Sequence, residues 1–288
     1  MIISMINTIG AIRNNSAAPS FVGLLDTYSG AAVAYSLRRL SGSYNGDCII
    51  VRRSSDNLEL AIGFDSNNVL DEAALLTHVG IGNDGYIVTM YDQSGGSNDI
   101  TQVAESNQPK IVSSGVVILD PDTGKPSFTF PLGTTVLHTI SLAEISFTAG
   151  WTFSFVAKAS AVNVYSLIFS DAIGDAQDIQ YVYGGGLLRT KIDGTNRNVY
   201  GTGTNSDSTR LWVNRRDASN NLTINRDAAL YGSITGATGT FDFVQIGSNL
   251  SVNPPEYFSE LIMWNSDKGA TDVVGIETNI NAHYSIYT

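Results

Sequence analysis

One cysteine among 288 residues excludes an intrachain disulfide, so packing alone must hold the fold. Cys48 lies in the apolar run CIIV and reads as a buried, inert thiol. Cations are scarce: 16 Lys and Arg against 27 Asp and Glu leave a net charge of −11. Without a basic stripe to displace counterions, the chain is not a nucleic-acid binder. The short cluster of Arg38, Arg39, Arg52 and Arg53 reads as ion pairs and hydrogen bonds at strand ends. No stretch approaches the roughly 20 apolar residues that span a bilayer. The opening MIISMINTIGAIRNN lacks the cationic start of a secretory leader. The expectation is a chain made in a cytoplasm, without membrane insertion.

Catalytic and metal signatures are equally thin. The three histidines, His78, His138 and His283, stand far apart, and no HExxH or Ser-His-Asp order is present. Glutamates are few, and none lies between residues 147 and 255. No cofactor is implied.

What is present is β-sheet. Hydrophobic residues make up 43% of the chain, enough for a real core. Beyond Ser146, runs such as WTFSFVAKAS, IQYVYGG, LLRTKIDG, TRLWVNRRD, NLTINRDAAL and YFSELIMWN recur about every ten residues between Gly and Asn turns. That rhythm predicts an all-β sandwich or jelly roll with a few short helices. CIIVRR and LELAIGF, separated by SSDN, predict a hairpin. Helices are expected at Ala31 to Leu40, at Leu70 to Val79 with Asp71 and Glu72 in its first turn, and along the C-terminal stripe from Val273 to Tyr287. Gly275 weakens that last helix by about 1 kcal/mol relative to Ala.

Residues 1–21 read as an arm, with Ile2, Ile3, Ile6, Ile9 and Ile12 as its attachment side chains, joined to one sandwich domain over 22–288. The run YDQSGGSNDITQ raises a sharper question. Asp92, Ser94, Gly95, Asn98 and Asp99 fit a turn whose side chains satisfy backbone donors. The alternative is a Ca2+ ion held by Asp92 and Asp99. Tyr181, Tyr183, Tyr231, Tyr257 and Trp264, read as exposed aromatics, are candidates for stacking on sugar faces.

AYSLRRLSGSYNGDCIIVRRSSDNLELAIGF, DEAALLTHVG, YDQSGGSNDITQ and NQPKIV together resemble the N-terminal half of the alpha-L-arabinofuranosidase B catalytic-domain family, a segment similar to one found in bacteriophage virion proteins. The order NLTINRDAALYGSITG, FDFVQIGSN and YFSELIMWNSDKGATDVVGIETNINAHYSIY resembles the closing strands and edge helix of a laminin-G-like, concanavalin-A-like sandwich. Both resemblances imply one jelly roll. The enzyme family implies a Glu nucleophile in an Asp-x-Glu-Asn-Gly context and an Asp acid. Neither context is visible, although Glu260 with Asp242 or Asp227 offers a pairing on paper. The resulting expectation is a non-enzymatic bacteriophage virion protein, a capsid decoration protein or small tail fibre. Its arm would fasten it to other capsid or tail proteins, and it would work as a homo-oligomer. The alternatives are a receptor-binding lectin module for host-surface glycans and an arabinofuranosidase-like glycoside hydrolase.

Overall fold

The computed structural model describes residues 21–130, 136–139, 144–148, 150–160, 165–171, 178–183, 185–201, 203–205, 207–247 and 253–288. Their strands form two large sheets in which every named strand pair is antiparallel. The six-stranded sheet runs Ala31–Ser36, Tyr257–Trp264, Trp151–Lys158, Arg210–Arg216, Leu222–Arg226, Ala229–Ile234. The twelve-stranded sheet runs Thr195–Tyr200, Leu187–Ile192, Ile179–Tyr183, Tyr165–Ser170, Gln245–Gly247, Val136–Thr139, Ile100–Thr101, Gly85–Met90, Ile49–Arg53, Glu59–Ile62. Lys110–Ser113 and Val116–Val117 attach beside Gly85–Met90. The two halves of the chain therefore share both sheets. The all-β expectation holds at this level.

The strand Trp151–Lys158 shows how the sequence builds the layers. Trp151, Phe153, Phe155 and Ala157 point into the core between the sheets. Val156 points the other way, into a second cluster beneath the helices. Both faces are covered, so the strand reads as a nearly continuous apolar run. Trp151 stacks on Phe153 with ring centroids 4.0 Å apart and planes 7° off parallel, and Phe153 meets Phe147 edge-on at 4.8 Å. Such pairs add specificity beyond the area they bury.

Residues 31–36 correct one expectation. They form a strand, paired with residues 260–264. Val33 and Tyr35 enter the intersheet core while Ala34 enters the helix-side cluster. Apolar residues on both faces hide the period of two, and the chance spacing of Ala34 and Leu37 imitates a helix.

Helix Glu72–Val79 forms with Asp71 as N-cap, its carboxylate accepting from the Ala74 amide at 2.9 Å. His78 is buried in its last turn, with Nε2 3.0 Å from the Val51 carbonyl. Helix Gly269–Tyr284 buries Val273, Ile276, Ile280 and Tyr284 against the outer face of the six-stranded sheet. Gly275 has a packing role there: a Cβ would stand 1.7 Å from the Tyr28 hydroxyl oxygen, so only glycine lets the short helix Leu24–Thr27 and its C-cap Tyr28 approach.

Candidate active site

The turn after strand Gly85–Met90 is built around one carboxylate. Asp92 Oδ1 accepts from the amides of Ala34 and Ser94, both at 2.9 Å. Its Oδ2 accepts from the Ser94 hydroxyl at 2.7 Å and the Asn98 amide at 3.0 Å. Asp99 accepts from the Asp92 amide at 2.8 Å, and Gly95 supplies φ = 89°. Gln93 ties the same turn to the six-stranded sheet, donating to the Ser36 and Arg38 carbonyls and accepting from the Leu40 amide. The four bonds at Asp92 use the lone pairs that a Ca2+ ion would need. Among the described residues, no group of His, Cys, Asp and Glu is arranged to hold a metal.

A different set of carboxylates converges at the end of the twelve-stranded sheet. Hairpin Tyr165–Ser170/Ile179–Tyr183 leaves Asp171 and Asp178 facing one another, and the Asp178 amide donates to Asp171 Oδ2 at 3.1 Å. In the neighbouring hairpin, Asp193 and Gly194 take φ of 46° and 73°, the two positive values of a tight two-residue turn. That turn aims the Asp193 amide at Asp178 Oδ1, 2.8 Å away. The Asp242 amide also donates to the Asp178 carboxylate. On strand Phe241–Phe243, Asp242 Oδ1 is buried without a hydrogen-bond partner. Asp178 and Asp171 are buried, and Asp193 is exposed.

Burial is the main cause that pushes the Asp178 carboxyl up to about 7, against the two amides and with the charges of Asp171 and Asp242 adding to the rise. A carboxyl titrating there is half protonated at neutral pH, whereas an ordinary aspartate is fully ionised. Such a carboxyl can hold a proton at neutral pH and give it up.

Glu260 takes no part. It lies on strand Tyr257–Trp264 with its side chain fully buried beneath the C-terminal helix, gripped at both oxygens by Arg38. Ser36 and Tyr284 donate to it as well. Burial works to raise its pKa, but the Arg38 charge and hydrogen bonds outweigh that and hold the carboxyl below its ordinary range. Asp227 accepts from Arg210 and the Leu211 amide, both at 3.0 Å. The pairings of Glu260 with Asp242 or Asp227 are thus corrected: Glu260 is sealed into the scaffold.

The aromatic candidates do not form one platform. Trp264 is completely buried, its indole donating to the Tyr28 carbonyl at 2.8 Å, so it offers no face to a sugar. It was expected among the exposed aromatics, but the C-terminal helix covers its face of the sheet. Asn205 bridges two others, donating to the Tyr183 carbonyl at 2.9 Å and the Tyr231 hydroxyl at 3.4 Å. Tyr231 also meets Trp212 edge-on, with the Arg226 guanidinium 4.8 Å above its ring centre. Half-buried Tyr257 has Lys158 Nζ 5.9 Å from its ring centre. The side chain of Tyr181, and Ile2, Ile3, Ile6, Ile9 and Ile12, lie outside the described residues.

Residues 26–117 match the family model described as alpha-L-arabinofuranosidase B, catalytic. A crystal structure of arabinofuranosidase complexed with arabinofuranosyl-alpha-1,2-xylobiose superposes on 91% of the chain with a TM-score of 0.67 and 16% identity. A GH54 α-L-arabinofuranosidase soaked with a cyclic sulfate inhibitor does so over 91%, at TM-score 0.68 and 16% identity. The chain spans 65% and 66% of the length of those two structures. No curated protein matches it. These findings overturn the expectation of a non-enzymatic virion surface protein: the specific likeness is to a catalytic domain, and nothing found points to a phage particle.

Proposed function

We propose that the chain is a glycoside hydrolase that cleaves α-L-arabinofuranosides. The observation that carries this reading is the match of residues 26–117 to an arabinofuranosidase catalytic domain, in a chain whose two-sheet fold superposes on arabinofuranosidases almost throughout. The sheet order supports reading the sandwich as a concanavalin-A-like jelly roll.

Glycoside hydrolysis needs one carboxyl to protonate the leaving oxygen and a second to act as nucleophile or base. Between residues 147 and 255 every carboxylate is an aspartate, and the acidic corner gathers four of them, to which we assign both roles. Asp178, lifted to about 7, is the general acid. Asp242, with its unpartnered oxygen, is the second carboxyl. Asp171 and Asp193 position Asp178 through the bonds given above.

The test is hydrolysis of 4-nitrophenyl α-L-arabinofuranoside by the full chain. Turnover is expected, with Asp178→Asn and Asp242→Asn each lowering kcat by two or more orders of magnitude, the contribution of acid–base catalysis. Turnover that survives both substitutions would remove the assignment. Binding of arabinofuranosides without any turnover would remove the enzymatic reading.

A further inference from the structure

A large cleft lies away from the acidic corner, at the other end of the same sheet. Its volume is about 960 Å³, and Arg52, Tyr86, Lys110, Thr129, Glu105 and Phe130 line it together with two serines, Ser54 and Ser106. Strand register puts four of these residues in one row. Arg52 pairs directly with Tyr86, Tyr86 with Lys110, and Lys110 with Thr129. Directly paired residues of antiparallel strands share a face, so guanidinium, phenol and ammonium stand side by side across three strands, with the Thr129 hydroxyl on a bridged segment beside them.

The row is rigid before any ligand arrives. Arg52 is 6% exposed. Its guanidinium donates to Gln108 Oε1 and Asn57 Oδ1, each at 2.7 Å, and to the Glu105 carbonyl at 3.4 Å. Lys110 Nζ donates to Asp84 Oδ2 at 2.7 Å, and the Tyr86 hydroxyl donates to the same oxygen at 3.1 Å. Both cations lie against the Tyr86 ring, with Arg52 Cζ 4.8 Å and Lys110 Nζ 5.4 Å from its centre. A side chain fixed in this way loses little entropy when a ligand binds.

Charge decides the ligand class. Lys110 is neutralised by Asp84 at 2.7 Å, and Arg52 is faced by the Glu105 carboxylate at 3.8 Å. The cleft has no net charge to attract a phosphate or an acidic polymer, and the protein's overall −11 repels one at a distance. What remains is a dense mixture of fixed donors and acceptors. Ser54, Ser106 and Thr129 can both donate and accept, Glu105 accepts, and the Arg52 and Lys110 N–H groups donate. Phe130 supplies an apolar wall. A chain of neutral hydroxyls and ring faces matches that lining, and the volume exceeds the needs of one sugar ring.

We propose that this cleft binds a neutral oligosaccharide. It would hold the main chain of a polymer while the acidic corner acts on a branch. The inference of a polymer substrate rests on the hydrolase reading; the binding site itself does not. Five strand spacings separate the cleft's central strand from strand Ile179–Tyr183, which Asp178 directly precedes, roughly 24 Å at the usual interval.

The experiment is calorimetric titration of the full chain with xylohexaose and, separately, with hexagalacturonate as its acidic counterpart. Two variants test the location: Ser106→Trp, which plugs the cleft from an exposed position, and Tyr86→Leu, which removes the centre of the row. The expected result is xylohexaose binding that each variant weakens at least tenfold. Ser106→Trp should leave hydrolysis of the small nitrophenyl glycoside unchanged and lower kcat/KM on a polymeric arabinoxylan. No binding of xylohexaose, binding untouched by both variants, or tighter binding of hexagalacturonate would overturn the proposal. Binding is read without turnover, so xylohexaose affinity in a chain that hydrolyses nothing would leave the cleft standing and remove only the hydrolase reading.

Discussion

Arg38 and Glu260 form a bidentate pair at 2.7 and 3.0 Å that joins the first strand of the six-stranded sheet to its neighbour from the end of the chain. Arg38 also donates to Asn279 of the C-terminal helix at 2.8 Å. Three elements therefore meet on one guanidinium. Arg38→Ala should lower stability by about 3–5 kcal/mol, because it strands a buried carboxylate. The double replacement Arg38→Met with Glu260→Leu should recover most of that loss. Urea unfolding midpoints of the three proteins check both statements.

The same pair sets an acid limit. Glu260 has a folded pKa below its ordinary 4.5, so its contribution to stability is fully present above the unfolded value and is lost as pH falls through the folded one. Stability measured from pH 6 downward should fall below pH 4.5 more steeply in the parent than in the Met/Leu double variant.

Asp178 behaves in the opposite sense. Its folded pKa of about 7 exceeds the ordinary 3.8, so between those values the folded chain holds a proton that the unfolded chain has released. Stability should therefore decline as pH rises through this interval and level off above it. Asp178→Asn should flatten the decline. In activity, kcat/KM should fall as pH rises beyond about 7, where the acid loses its proton. A profile that keeps rising through pH 8 would reject Asp178 as the acid.

Asp92→Ala removes the acceptor of four hydrogen bonds and leaves the Ala34 amide buried without a partner. A loss of about 3 kcal/mol is expected. Gly95→Ala, at φ = 89° with open space around it, should cost only about 1 kcal/mol, all of it backbone strain. Thermal or urea unfolding distinguishes the two.

Trp151, Trp212 and Trp264 are all 0% exposed. Their fluorescence should be blue-shifted and resist acrylamide quenching, and added oligosaccharide should leave it unchanged. A quenching response to sugar would show that a tryptophan reaches the ligand, against the burial found here.

Much of the strand pattern was legible because turns and alternation are local. The hairpin at Ile49–Arg53 and Glu59–Ile62 and the two longer helices follow from spacing alone. Strand Ala31–Ser36 was not legible, since its partner lies some 225 residues away and both its faces are buried. Asp178 failed for a related reason. DAQDIQ has no motif, and its carboxyl becomes unusual only when two hairpins and strand Phe241–Phe243 close around it. The Asp193-Gly194 turn was a readable hairpin signal, but nothing in it foretold that its amide would point at another acid. The row of Arg52, Tyr86, Lys110 and Thr129 likewise exists only in the register of three strands and one isolated bridge.

The pairing of Ala31–Ser36 with Tyr257–Trp264 bears on how the protein is made. A ribosome must make more than two hundred further residues before strand Ala31–Ser36 can meet its neighbour. Until then the segment 26–117 waits with an open hydrogen-bonding edge and an uncovered apolar face, the condition in which nascent chains stick to one another or recruit chaperones. Folding of the sandwich thus waits until residue 264 has been made, and is slow for its many distant contacts. Ribosome-bound intermediates truncated before residue 257 should be held by chaperones or cut by proteases, even though the whole segment that resembles a catalytic domain has already emerged.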